Sequence, residues 1–286
     1  AAVQEVMEPA VVEVDEVAVE EVMSVEEMSS ATRRTSLQPS PQPPPQSPLR
    51  EVTQVARGLL DRLACQEARK MLLPLADSTD CEARCLLARS CVLLAEEAIE
   101  GRRKAEALQL AIECLTHAEA AVASDGESAE ARVWFGQAIQ MKARAVDGGI
   151  GQARVCGLMV RSWDLAVELA PNDPLPHHLL GSFAFHVSAL PWVAAQSMRK
   201  LAPGLRKFTA AEAMHHLLCS EERQPRPPYG YAVTNCSLLG RLYLGRGAKA
   251  EARVWFDRAL ELAPQFALDK TAEQAVVAAR KARARC

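Results

Sequence analysis

From Cys236 to Pro264 the chain reads C-S-L-L-G-R-L-Y-L-G-R-G-A-K-A-E-A-R-V-W-F-D-R-A-L-E-L-A-P. Two apolar stretches of helical period flank Gly247, so the segment predicts two antiparallel helices joined by a tight turn. Helices that cross at close range need small side chains at the crossing, which Gly240, Ala252 and Ala259 supply. Tyr243 and Phe256 are sized to fill the wedge between them, and Pro264 stops the second helix. A single hairpin of this kind cannot bury its own apolar face, so further copies must stack against it.

The order and separations are those of a tetratricopeptide repeat, L-G-x-x-Y…A-x-x-x-F…P, with Cys236 in place of the leading Trp. Degenerate copies lie upstream. Trp134 opens a helix of the same kind, and W-D-L-A-V-E-L-A-P at 163–171 puts Trp163, Ala166 and Pro171 in the roles of Phe256, Ala259 and Pro264. The small residue at the Gly240 position recurs as Ala88, Ala138 and Gly181, in steps of 50, 43 and 59 residues. Each step exceeds the ~34 residues of a simple repeat, so extra turns or extra helices have been inserted. The expected fold is all-α, a tetratricopeptide-repeat-like right-handed superhelix of helix pairs with inserted helices, over residues 51–286.

Composition agrees. The chain is 49% hydrophobic but only 5% aromatic, rich in strong helix formers, and no apolar run approaches the ~18 residues of a membrane span. Breaks are expected at Pro74, Gly101, Asp125-Gly126, Gly148-Gly149, Asn172-Asp173-Pro174, Pro191, Pro203-Gly204 and Gln224 to Pro228. The first 50 residues differ. Residues 1–30 hold nine acidic residues and no basic one, an acidic disordered tail, and 31–50 form a Pro/Ser-rich linker. Residues 31–286 then carry 27 acidic against 33 basic residues, a formal charge of +6. In the linker, Arg33-Arg34-Thr35-Ser36, Ser40-Pro41 and Ser47-Pro48 resemble kinase sites.

A more specific likeness lies at 163–192. The run D-P-L-P-H-H-L-L-G-S-F-A-F-H-V-S-A-L-P-W, preceded by W-D-L-A-V-E-L-A-P, places His178 before Leu179, Leu180 and Gly181, then Phe183 and Phe185, then Pro191 and Trp192. This order resembles the regulator of microtubule dynamics family. F-T-A-A-E-A-M-H-H-L-L-C-S-E-E at 208–222 is similar to an inserted helix of that family, and the resemblance covers roughly residues 80–275. It implies a non-enzymatic binding protein at microtubules, mitochondria or contacts between endoplasmic reticulum and mitochondria. In one branch it implies a repeat domain that binds and transfers phospholipid. The receptor-docking motif of that branch is not intact: in Glu21-Val22-Met23-Ser24-Val25-Glu26-Glu27, Val22 stands where an aromatic residue belongs.

A phospholipid in the concave face would need an apolar lining for its acyl chains and cations at the mouth for its phosphate. The ligand-binding candidates are His178, Phe183, Phe185, Trp192, Arg199, Lys200, Arg206 and Lys207, with the helix at 209–222 closing the channel. A partner peptide in the same face, making the domain a protein scaffold, is the alternative. A clamp for a peptide carboxylate needs paired Asn side chains, and Asn occurs only at 172 and 235. A surface for microtubules or an anionic membrane is expected at Arg280, Lys281, Arg283 and Arg285, because tubulin tails and such membranes are acidic. No motif points to nucleic acid.

Catalysis finds no constellation: there is no phosphate-binding Gly-rich loop and no G-x-S-x-G elbow. The nine cysteines include no C-x-x-C, and Cys81 and Cys85 have no nearby His, so neither a zinc site nor another cofactor is expected. The chain is thus expected to be a cytoplasm-facing binding protein with no transmembrane segment in the sequence given.

Overall fold

The computed structural model describes residues 48–225 and 228–286. The acidic tail, the linker sites up to Ser47 and the segment Glu21 to Glu27 lie outside the described residues.

Eleven α-helices follow one another among the described residues: α1 (Pro48–Asp61), α2 (Cys65–Leu72), α3 (Cys81–Glu100), α4 (Lys104–Ser124), α5 (Ala129–Leu169), α6 (Pro174–Ser188), α7 (Trp192–Leu201), α8 (Ala210–Glu222), α9 (Ala232–Gly245), α10 (Lys249–Leu262) and α11 (Lys270–Arg283). Polar caps start five of them. Asp80, Ser128, Asp173, Thr209 and Asp269 each accept a hydrogen bond from a backbone N–H in the first turn of the following helix. Asp80→Ala removes such a bond from α3 and is expected to lower stability by about 1 kcal/mol, read from the urea midpoint.

The helices pack as pairs: α1 with α2, α3 with α4, α6 with α8, α9 with α10, while α11 covers α9 and α10. The remaining pair is a single run, α5, folded back at Gly148, whose φ of 62° and ψ of −140° lie outside the helical region. The pairs interlock as the spacing predicts. A Cβ on Gly240 would come within 2.5 Å of the Phe256 ring, and one on Gly181 within 2.8 Å of the Leu217 side chain. Gly247 turns the chain between α9 and α10 at φ 77°.

Two expectations change. The residue beneath Trp163 is Gly136, where a Cβ would come 2.5 Å from the indole nitrogen, and not Ala138. The helix expected as the insertion, 209–222, is α8, the regular partner of α6; the inserted helix is α7, which has no buried residue and packs chiefly on α5. The other long steps come from added turns, since α3 and α4 run 20 and 21 residues.

Candidate interaction surfaces

The last helix presents Ala278, Lys281 and Ala282 on one face, at the i, i+3, i+4 spacing of a helical stripe, and Arg285, in the turn just beyond its end, lines the same cleft. Arg241 of α9 completes a cleft of about 300 Å³ with them. The Arg241 guanidinium lies 4.5 Å above the Phe185 ring, which holds it in place by a cation–π contact. None of these three cations has an ion-pair partner among the described residues. Arg283 is different, because it pairs with Asp257 of α10 and serves the packing of α11. Arg280 is exposed beside the cleft. Arg241 carries no sequence signal of its own, since only the packing of α9 on α11 brings it to Lys281 and Arg285.

The eight residues expected around a lipid separate into two groups. His178 is buried at 8% exposure, shares a 3.2 Å hydrogen bond with the Asn235 side chain of α9 and stacks on Tyr231. Burial pushes its pKa down to about 4, so it ties α6 to α9 as a neutral ring. Asn235 in turn donates to the Leu217 carbonyl and to Glu221, whose carboxylate binds Arg258. Phe183 sits edge-on to Trp163 and Phe208, and Phe185 is buried under Arg241. Arg206 lies over Phe208 and pairs with Asp164 and Glu212. These four serve packing. Trp192 is 73% exposed on α7, Lys200 and Lys207 are exposed, and Arg199 is half-buried.

Ion pairs tie α1 to α3 and α5, and α11 to α3. Arg57 of α1 bridges Glu82 of α3 and Glu130 of α5, each at 2.9 Å. Lys270 of α11 reaches Glu100 of α3 at 3.4 Å. No group of three His, Cys, Asp or Glu side chains able to hold a metal gathers among the described residues. The Cys81 and Cys85 sulfurs lie 4.0 Å apart, and burial raises the Cys85, Cys114 and Cys236 thiols, so they stay protonated and unreactive. No described helix is long and apolar enough to cross a membrane.

The family model for regulator of microtubule dynamics protein 1-3 matches residues 53–283. The chain belongs to the regulator of microtubule dynamics family. Regulator of microtubule dynamics protein 3 of Rattus norvegicus is 32% identical over 146 residues, 51% of this chain and 30% of that one. Regulator of microtubule dynamics protein 1 of Bos taurus is 24% identical over 229 residues, 78% of this chain and 68% of that one. The chain thus spans about a third of the rat relative's length. A thermophilic TPR protein of Thermus thermophilus superposes with a TM-score of 0.52 at 16% identity, covering 81% of this chain and 98% of that one. That likeness carries the fold alone: an α-helical tetratricopeptide-repeat architecture, as the spacing from Cys236 to Pro264 predicts. The named relatives are regulators by name.

Proposed function

We propose that this member of the family is a non-enzymatic adaptor that engages microtubules through the C-terminal basic cleft. The observation that carries the reading is the convergence of Arg241, Lys281 and Arg285 on one cleft with no ion-pairing carboxylate among the described residues. Acidic tubulin tails are a complementary surface, and such contacts strengthen at low salt. Arg280 adds charge at the rim, while Arg283 keeps α11 seated on α10. The test is co-sedimentation with polymerised tubulin. The parent chain should pellet with it at low salt and be released by high salt. Combined Arg241→Glu, Lys281→Glu and Arg285→Glu should weaken binding at least about tenfold, as like charges replace complementary ones. A parent chain that stays in the supernatant, or a charge-reversed variant that binds equally, overturns the reading.

A second reading, phospholipid binding at mitochondrial or endoplasmic-reticulum membranes, draws support from α7. Trp192 at 73% and Val193 at 67% exposure lie on a helix that also carries Arg199 and Lys200, a composition suited to a membrane interface. Liposomes containing phosphatidic acid should retain the parent chain but release Trp192→Ser; equal retention of both sinks this second reading.

A further inference from the structure

Of the nine cysteines, Cys81, Cys219 and Cys286 are not fully buried. The Cys81 thiol donates to the Ala121 carbonyl and the Cys286 thiol to that of Ala282, so each has a backbone partner. Cys219 differs. Its sulfur lies 3.8 Å from Nε2 of His215, one helical turn earlier on α8. Residues four apart on a helix share a face, and Glu222 falls on that face a turn beyond Cys219.

This face of α8 is turned to solvent. His215 and Glu222 are exposed and Cys219 is half-buried. The Glu222 carboxylate meets Arg223 only at 3.8 Å, so it keeps most of its negative charge for whatever approaches the pair. His216 is engaged elsewhere. Its Nδ1 lies 3.1 Å from Nδ1 of His177 on α6, and Nε2 of His177 donates to the Pro171 carbonyl, which can only accept.

A sulfur and an imidazole nitrogen aimed at each other across 3.8 Å are close to the spacing of two ligands on one ion. Zinc takes thiolate at about 2.3 Å and imidazole at about 2.0–2.1 Å, which at a tetrahedral angle sets the two atoms about 3.6 Å apart. A small rotation of either side chain closes the difference. Mg2+ and Ca2+ prefer oxygen ligands, whereas this pair offers sulfur and nitrogen. A thiol is a weak donor, so little is lost when an ion displaces its proton. With the S–H directed at Nε2, His215 holds its own proton on Nδ1 and presents a lone pair to the same point. Binding then breaks the Cys219 S–H bond, forms a sulfur–metal and a nitrogen–metal bond, and releases one proton to solvent.

We propose that His215 and Cys219 chelate a divalent ion of the zinc class on the solvent-facing side of α8, with water in the remaining positions and the Glu222 carboxylate favouring the positive charge. Two protein ligands leave the site open and the ion exchangeable, unlike the closed four-ligand sites that hold small folds together. The Cys81 and Cys85 sulfurs, also one turn apart, carry no comparable proposal, because Cys85 is wholly buried. The site is separate from the Arg241, Lys281 and Arg285 cleft and is independent of the microtubule reading.

Titration of the full chain with Co2+, after reduction of its thiols and removal of metal by a chelator, tests it. A cobalt–thiolate bond gives a near-ultraviolet charge-transfer band that imidazole and water ligands do not. The band should saturate at one Co2+ per chain and disappear on adding Zn2+, which thiolate ligands favour, but not on adding Mg2+. Cys219→Ser should abolish the band, and His215→Ala should weaken Co2+ binding at least about tenfold, both with unchanged circular dichroism. Cys81→Ser and His216→Ala should keep the band, which separates this pair from the other thiols and from the His177 contact. Absence of a band in the parent, a band that survives Cys219→Ser or is lost in Cys81→Ser, or parent-like affinity in His215→Ala overturns the proposal.

Discussion

Phe256→Ala is expected to destabilise the domain by about 3–5 kcal/mol, the cost of removing a fully buried aromatic ring from a core that relaxes only in part. Phe256 is 0% exposed and fills the space over Gly240, where a Cβ would already be in collision. Around it stand Val233, Cys236, Ala252, Ala259, Val276 and Ala279, so its loss opens the seam at which α9, α10 and α11 meet. Half of these are Ala, whose side chains cannot extend into the gap. Stacked helix pairs contact mainly their neighbours, so the damage should be greatest in the last unit. Amide hydrogen exchange should accelerate more in α9–α11 than in α3 and α4, and the urea midpoint should fall. Phe256→Leu, which keeps most of the volume, should cost far less. Equal stability of parent and Phe256→Ala would show that the ring does not hold the seam.

The second large effect is set by pH. Glu96 has a folded pKa of about 7 against an ordinary 4.5, chiefly because burial disfavours the carboxylate and next because Asp269 lies near, while Arg144 opposes the rise. The folded chain therefore retains a proton that the unfolded chain releases between those two values. The contribution of Glu96 to stability is greatest at and below pH 4.5 and declines as pH rises to about 7. The difference is on the order of 2–3 kcal/mol, so Glu96→Gln should stabilise the domain by that amount at pH 8 and little at pH 5. His178 and His216, both lowered to about 4 mainly by burial, impose the opposite slope between that value and the ordinary 6.5. Their effect is common to parent and variant, so the difference between the two urea-midpoint profiles isolates Glu96. Parallel profiles from pH 5 to 8 would refute the assignment.

Much of this architecture can be read from local signals. Gly247, Gly148 and the prolines at 74, 191 and 203 act on their own backbone, so the breaks they predict fall where the helices end or fold back. The break between α1 and α2 has no such signal: Leu63 turns the chain at φ 58°, a conformation a branched apolar side chain adopts only when its surroundings impose it. Gly136 and Ala138 are both small and two residues apart on one helix, so spacing alone allows either at the crossing. The approach of Trp163 selects Gly136. His178, Phe183 and Arg206 suit a ligand by their versatile chemistry, and neighbours distant in sequence, Asn235, Trp163 and Asp164, turn that chemistry inward.

The sequence by itself determined the helices, their caps and the repeat, because these depend on periodicity and on backbone freedom within a few residues. It also placed Lys281 and Arg285 in one basic run with Arg280 and Arg283. Only the tertiary structure decided that Arg241 joins them, that α8 and not α7 pairs with α6, and that Arg89 comes to lie against Trp134. Those outcomes depend on how helices far apart in the chain cross, and crossing is settled by the fit of whole surfaces, which no short stretch of residues encodes.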